Sequence, residues 1–524
     1  MLNLNVGLLG HVDSGKTTLA KALSAIASTA SFDKNPQSQQ RGITLDLGFS
    51  ALQTDLPNEF QDRDNWNQLQ YTFVDCPGHA SLIRTIIGAA QIIDLIILVV
   101  DIGKGIQTQT AECLVIGELT TQKMIVALNK IDTIEESKRA KSVEKMKKGL
   151  GVVLMKTVFE GSPIVEISAF SRINLDKFLL ALKSISFAPV RSYDMPFLFA
   201  VDHCFAIKGQ GTICTGTVLQ GQIKLNEEVE IPKLKLVKKV KSIQMFRQSQ
   251  QAAQEGDRVG ICIAQFDPKL LERGLICKPG FVLTTYATIV GLNRIKYYKG
   301  SIRSKAKFHV HVGYETVLAC VTLFKSEQIK NLSFDSTTPY EFIEEVNAEP
   351  SKPDTHVFAL LEFEHAIQAT PRALVIASKL DTDIHKNQCR LAFFGRMEYH
   401  VSDRNYKSSF LPQLKIYKLK HKVGSVQRVV NANELIASGM FKKEGNNRQA
   451  FVGFQIQLST GELGVIEDTF GASSKVRLRF MKPLDDATLA RLRQKTNSQD
   501  PVKVGLKFKK YIFAKDEMNN KVVQ

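Results

Sequence analysis

Gly10-His11-Val12-Asp13-Ser14-Gly15-Lys16-Thr17 decides the fold. The octet fits GxxxxGK[ST], follows the apolar run Asn3–Leu9 and opens a helix-compatible stretch, Thr17–Ser28. A strand–loop–helix setting is what a phosphate-binding loop requires. Its glycines let backbone N–H groups curl round phosphate oxygens, and the helix N-terminus adds partial positive charge. Gly10, Asp13, Ser14, Gly15, Lys16, Thr17 and Thr18 are therefore read as nucleotide-binding residues. Lys16 would neutralise the β- and γ-phosphates, and Thr17 would offer its hydroxyl to Mg2+.

Three further stretches say which nucleotide. Asp75-Cys76-Pro77-Gly78-His79 follows the apolar run Tyr71–Val74. Asp75 is suited to hold Mg2+ through water, and Gly78 to bring its bare N–H to the γ-phosphate. His79 is the candidate catalytic residue, placed to orient the attacking water. Arg41-Gly42-Ile43-Thr44 lies in a polar loop. Thr44 would reach Mg2+ only when γ-phosphate is present, which makes the loop a switch. Val12 and Ile43 would screen His79 from water until then. Asn129-Lys130-Ile131-Asp132 follows Met124–Leu128. A carboxylate at Asp132 accepts from both N1–H and N2–H of guanine, whereas adenine would leave it unpaired. Ser168-Ala169 would close over O6 with a backbone N–H. The expected ligands are GTP or GDP with Mg2+.

Between these stretches, the apolar runs Leu95–Asp101, Lys123–Leu128 and Ile164–Ile167 alternate with helix-compatible Ala80–Gln91, Thr110–Leu119 and Glu136–Lys148. That rhythm predicts a parallel sheet with helices on both faces over residues 1–190. After Pro189 short β-branched runs alternate with turn signals: Phe197–Phe205, Gly211–Leu219, Glu228–Ile231, Val237–Phe246 and Arg258–Ala264. They predict a β-barrel over 191–286. A second β-rich region covers 287–404, with a polar, acidic stretch at 331–354 read as an exposed insertion loop. A third covers 405–524. The fold class is an α/β P-loop GTPase domain followed by three β-barrel-type domains. The lysine-rich Lys233–Lys241 is read as a solvated edge strand.

The chain's 524 residues are 44 % hydrophobic and 23 % charged, enough for several cores. No apolar run is long enough to span a bilayer, and the N-terminus lacks a signal-peptide pattern, so no membrane partner is expected. Eight dispersed cysteines form no CxxC pair and read as reduced, cytosolic thiols. Cys76 and His79 have ligand spacing, but no second pair completes a zinc tetrahedron. Net charge is +17, and residues 401–524 hold 23 Lys and Arg against 11 Asp and Glu. Such a tail suits a polyanion such as nucleic acid.

Taken together, GHVDSGKT, RGIT, DCPGH, NKID and SAF closely resemble the translational GTPases of the elongation factor Tu class. So does Gly209-Gln210-Gly211-Thr212 through Gly216-Thr217-Val218. Within that class the chain looks most like the selenocysteine-specific elongation factors of eukaryotes and archaea. RGITLDLGFS (41–50), VDHCFAIKGQGT (201–212), EGDRVGICI (255–263), FDPKLLERG (266–274), DTDIH (381–385), FKKE (441–444) and LSTGELG (458–464) carry that likeness. The resemblance implies a monomeric carrier of selenocysteinyl-tRNA that hydrolyses GTP on the ribosome and works with a separate protein bound to the selenocysteine-insertion hairpin. It implies a cytoplasmic place, and the basic tail is compatible with the nucleus as well. The winged helices of bacterial members are not expected, because VKVGLKFKKYIF (502–513) reads as closing strands.

The same resemblance assigns the aminoacyl pocket to Asp202, His203 and Arg258, where general factors usually carry two acids and an Asn. A thiol has a pKa of about 8.5; a selenol is more acidic, so selenocysteine is anionic at neutral pH and serine is not. Cationic Arg258, and His203 as a cation or donor, would favour the selenolate. Three alternatives stay open at this level: a general or initiator tRNA carrier, the GTPase subunit of a sulfate-activating enzyme, and a scaffold with a dead nucleotide site.

Overall fold

The computed structural model describes the whole chain except residues 25, 28–46, 61–65, 79–82, 208–210, 247, 264–265, 272, 314, 327–332, 348–355, 381–388, 442–447, 471–473, 494–501 and 515–521. The side chains of residues 58, 83–84, 89–90 and 108 are also outside the description. Thr44 and His79 therefore lie outside the described residues, as does the DTDIH segment.

The first domain is built on β1 (Leu2–Leu9), α1 (Lys16–Leu23), β2 (Ile26–Ala27), β3 (Gly48–Asp55), β4 (Gln68–Asp75), α2 (Ile83–Ala90), β5 (Leu95–Asp101), α3 (Thr108–Thr120), β6 (Met124–Asn129), α4 (Glu136–Leu154), β7 (Ile164–Glu166) and α5 (Leu175–Ser184). Among the described residues the sheet runs β2-β3-β4-β1-β5-β6-β7. The last five of these are mutually parallel, and β3 is antiparallel to β4. Every residue of β1 and β5 is buried, as expected for strands covered on both faces. Phe178 and Leu182 of α5 are fully buried in one core and Ile116 of α3 in another. Each such side chain contributes about 1.5–3 kcal/mol by leaving water. The parallel order puts the C-terminal ends of β1, β4, β5 and β6 side by side, the edge where this topology binds ligands.

Next comes a closed barrel. Strands Glu228–Ile231, Gly274–Cys277, Leu198–Ile207, Gly211–Gln220, Arg258–Ile263 and Leu236–Met245 are neighbours in that order, and the last pairs back to the first. The lysine-rich segment is thus not the edge strand its composition suggested. Leu236–Lys239 pairs with Glu228–Ile231 and Val240–Gln244 with Arg258–Ile263, so the strand is a stave of the closed barrel; Lys239 and Lys241 are exposed, while Val240 and Ile243 belong to its core. In the third domain the strands Lys307–Val312, Leu374–Ser378, Leu391–Val401, Leu283–Gly291, Val357–Ala369 and Glu315–Lys325 follow one another, and Lys307–Val312 also pairs with Glu315–Lys325.

By compactness the chain divides into a unit of Met1–Val321, Asn347–Glu349 and Leu360–Ser402, and a second of Thr322–Val346, Pro350–Ala359 and Asp403–Gln524. The second unit contains a barrel: Ile416–Asn431, Glu434–Ser438, Val476–Arg479, Leu463–Thr469, Gln455–Leu458 and Lys503–Tyr511, with the first and last strands paired from Tyr417↔Tyr511 to Ser425↔Lys503. The 502–513 stretch therefore supplies a closing strand, as its pattern suggested. The presumed insertion loop differs from expectation over its described part. Tyr340–Ile343 is a strand, parallel to Ile416–Tyr417, and Tyr340 is buried among Phe324, Phe334 and Phe358. Aromatic packing outweighs the polar composition around it.

Candidate functional site

β1 hands the chain to the phosphate loop, which the backbone then bends sharply. Gly15 has φ +92°, and a Cβ there would lie 2.3 Å from Asn129 Nδ2. Only glycine fits that space. Lys16, at the start of α1, is buried, and its Nζ donates to the carbonyls of Gly10 at 3.1 Å and His11 at 2.8 Å. Its ammonium is thereby held inside the loop's own curve. Burial lowers the Lys16 pKa, and Asp75 opposes that shift. Gly78 packs directly over the same ammonium: a Cβ would fall 2.4 Å from Lys16 Nζ. The end of β4 and the phosphate loop are thus in contact, as their chemistry required. Thr17 Oγ1 donates to Asp75 Oδ2 at 2.6 Å. Ser14 Oγ is buried with no partner among the described residues. Two adjacent hard oxygen donors and an unused hydroxyl beside a buried ammonium suit Mg2+ and phosphate oxygens. Thr18 and Asp13 are exposed.

The base-reading end is tied to the same loop by one side chain. Asn129 Nδ2 donates to Ser14 O at 2.9 Å, and its Oδ1 accepts from Ala169 N at 2.9 Å. Ser168 pairs backbone-to-backbone with Ile173, and its hydroxyl accepts from Ser171 N at 3.0 Å, which fixes the following turn. Lys130 has a left-handed backbone (φ 68°), and its Nζ meets Asp101 Oδ2 at 3.0 Å. Asp132 is exposed at the 3-10 turn Ile131–Thr133, free of the sheet, as a base-reading carboxylate needs to be. Asp101, at the end of β5, was not singled out by sequence. Burial alone would raise its pKa, but hydrogen bonds from Lys130 and Gly103 outweigh that and hold it below the usual range. No local pattern marks it, because its partner lies on the next strand.

A second constellation sits where the first barrel meets β3. The strand Leu198–Ile207 bulges between Val201 and His203, whose partners are Gly216 and Thr215, so Asp202 is the extra residue. Asp202 Oδ2 pairs with Arg258 Nη1 at 2.5 Å, and Oδ1 accepts from Thr215 Oγ1 at 2.8 Å. Both partners of the ion pair are buried. The Arg258 guanidinium lies 3.1 Å from the centre of the Phe49 ring on β3. Its Nε and Nη2 are buried without a hydrogen-bond partner among the described residues. His203 is half-buried beside them. The Asp202 carboxylate is thus engaged by Arg258 and Thr215.

The domains that frame both sites are joined by polar contacts that only tertiary structure reveals. Asn3 and Asn5 on β1 donate to Gly256 O at 2.6 and 2.9 Å. Arg191 grips Asp94 with both terminal nitrogens. Glu112 of α3 takes a bidentate pair from Arg390, at 3.0 and 2.8 Å, and both residues are buried.

Four family models match consecutive stretches. They are the elongation factor Tu GTP-binding domain at residues 2–187, elongation factor Tu domain 2 at 211–277, the third domain of eukaryotic selenocysteine-specific elongation factors at 289–395, and the eEFSec C-terminal RIFT domain at 412–517. The mouse selenocysteine-specific elongation factor is 45 % identical, covering 98 % of this chain and 97 % of its own. The factor of the same description from Methanocaldococcus jannaschii is 33 % identical over 92 % of this chain and 95 % of its own. Among solved structures, the Methanococcus maripaludis elongation factor SelB with the GTP analogue GppNHp covers 97 % of this chain and 98 % of its own, with TM-score 0.69 at 27 % identity.

Proposed function

This chain belongs to the selenocysteine-specific elongation factors of the elongation factor Tu class, and we propose the roles of its individual residues from the geometry above. It is a GTPase that binds selenocysteinyl-tRNA and delivers it to the ribosome for UGA recoding, converting GTP and water to GDP and phosphate.

In our reading, Gly10, Asp13, Ser14, Gly15, Lys16, Thr17, Thr18 and Gly78 hold the phosphates, and Asn129, Lys130, Asp132, Ser168 and Ala169 hold the guanine. Thr17, Thr44 and, through water, Asp75 would hold Mg2+, which would supply neutralisation of phosphate charge. His79 orients the attacking water. Because Gly78 lies over Lys16, a shift of the γ-phosphate reaches the His79 segment within one residue. Hydrolysis is slow until the ribosome positions His79.

Asp202, His203 and Arg258 form the selenocysteine niche. The observation that carries this assignment is the Arg258 guanidinium: paired through Nη1 only, stacked on Phe49, with two buried N–H groups left over. Buried donors without acceptors are destabilising unless a ligand supplies them. A selenolate does; a seryl hydroxyl does so more weakly. Asp202 and Arg258 cancel each other's charge, so the anion is bound through the two spare Arg258 N–H groups and a donor on His203. We further place the protein in the cytosol as a monomer, with the basic fourth domain facing RNA or a separate hairpin-binding protein. No described helix is long and apolar enough to cross a membrane.

The test is retention of endogenous tRNA on the immobilised protein with GTP and with GDP, followed by identification of the tRNA and its amino acid. Selenocysteinyl-tRNA, retained only with GTP, is expected. Retention of bulk elongator tRNAs would point to a general carrier, and no GTP-dependent retention would remove the tRNA role.

A further inference from the structure

Two cysteines face each other across the strand pair that bears the niche. Cys204 lies on Leu198–Ile207 and Cys214 on Gly211–Gln220, and they are register partners. Their sulfurs are 3.2 Å apart. Cys214 is fully buried, whereas Cys204 is partly exposed. Directly opposed residues of an antiparallel pair have Cα atoms about 4.5 or 5.5 Å apart, and both values lie inside the roughly 4.4–6.8 Å that a disulfide spans. The Cα spacing is therefore compatible with the bond, and the remaining closure of the sulfurs falls on the two side chains and the bulge beside them.

The neighbours of these thiols are the residues of the niche. Cys204 follows His203 and is two residues from Asp202. Cys214 precedes Thr215, whose hydroxyl donates to Asp202 Oδ1 at 2.8 Å. The bulge that turns Asp202 inward lies between Val201 and His203. Drawing the sulfurs from 3.2 Å to the roughly 2.05 Å of a disulfide tightens the strand pair at this bulge. Asp202, and Arg258 with it, would move.

We propose that Cys204 and Cys214 form a reversible disulfide switch that closes the selenocysteine niche when peroxide is present. It rests on placing that niche at Asp202, His203 and Arg258. Peroxide supplies the oxidant. The more accessible Cys204 sulfur, as thiolate, attacks one peroxide oxygen; the O–O bond breaks, sulfenic acid forms, and the departing hydroxide takes up the proton the Cys204 thiol released, giving water. Cys214 sulfur then attacks Cys204 sulfur, the S–O bond breaks, and the departing hydroxide takes the Cys214 proton as water. Two thiols and one hydrogen peroxide give one disulfide and two waters, and a dithiol reductant reverses the change. The Cys204 contact and burial raise the Cys214 pKa, so Cys214 rests as the thiol. The chemical sense is direct: the cargo's selenol is itself readily oxidised, and a carrier that stops loading under peroxide spares it.

The experiment uses the full chain, treated with hydrogen peroxide and freed of it by gel filtration before selenocysteinyl-tRNA is added. Peptide mapping should find Cys204 linked to Cys214, with the mass lower by two hydrogens. GTP-dependent tRNA binding should fall about tenfold, the scale of one lost charge-assisted contact, and dithiothreitol should restore it. GTP binding should be unchanged. Cys204→Ser should bind tRNA normally and ignore peroxide. Eight free thiols after treatment, or a Cys214–Cys262 link instead, would overturn the pairing. A Cys204–Cys214 link with full tRNA binding would overturn the gating. The peptide map does not depend on where the amino acid binds, so failure of the switch and failure of the niche give different results.

Discussion

Replacing Arg258 by Met removes a guanidinium that is paired, stacked and buried at once. Asp202 would then keep only the Thr215 hydroxyl. A buried charge stripped of its partner destabilises a fold by about 3–5 kcal/mol. The single variant should lose stability of that size in a urea melt. Asp202→Asn with Arg258→Met removes both charges, and replacing a buried pair together is near neutral. The double variant should therefore melt near the parent protein, which separates folding from binding. Its preference for selenocysteinyl- over seryl-tRNA should still fall by roughly ten- to a hundredfold, from loss of a charged hydrogen bond of about 1.5–3 kcal/mol. GTP-dependent filter binding of the two charged tRNAs reads this directly. A folded double variant with its discrimination intact would refute the electrostatic account of cargo choice.

Other substitutions reach other parts of the machine. His79→Ala should leave GTP-dependent tRNA retention intact and slow ribosome-stimulated phosphate release by about 10²–10⁴-fold; equal turnover would remove its role. Glu112→Ala should destabilise the chain by about 3–5 kcal/mol, measured by urea unfolding, because it strands Arg390 in a buried site. Gly78→Ala should weaken GTP binding in a nucleotide filter assay and lower the melt as well, since its methyl would meet both the Lys16 ammonium and the His11 main chain; unchanged GTP binding would show that the close approach is not needed. Glu166 should shape the acid limb of stability. Burial alone would raise its pKa, but Lys147 at 2.5 Å and Lys177 at 2.6 Å hold it near 2. With an unfolded value of about 4.3, its contribution is present above about pH 4.3 and is lost as pH falls through the folded value. Glu166→Gln should flatten that part of a stability–pH curve measured by urea unfolding.

Strands buried on both faces were legible because their apolar runs have no competing reading: Leu95–Asp101 has the same bounds in sequence and structure. The edge-side strand Gly48–Asp55 was not, because its second half alternates and ends in Gln53 and Asp55. The helix Leu175–Ser184 was not singled out. At the nucleotide site, the motif residues Lys16, Thr17, Asp75, Gly78, Asn129 and Ala169 come together as their spacing implied, because each motif ends a strand of one parallel sheet. Asp101 escaped notice because its role depends on Lys130 across the sheet. Phe49 beneath Arg258 could not be read at all, since nothing local links residue 49 to residue 258. The strand Tyr340–Ile343 was hidden by its acidic surroundings, although Tyr340 and Phe342 were the visible exceptions.

Because Tyr340–Ile343 lies alongside Ile416–Tyr417, the C-terminal module is assembled from pieces separated by some seventy positions of chain. Excision at residue 404 would strip Tyr340, which anchors the Phe324–Phe334–Phe358 cluster, of its neighbouring strand and leave Ile416 and Tyr417 unpaired on the other side. Truncation experiments on the basic tail would then report on damaged hydrophobic surface as well as on lost RNA contacts. Point reversals of surface charge, such as Lys507→Glu or Lys509→Glu, are the cleaner way to ask what the tail binds.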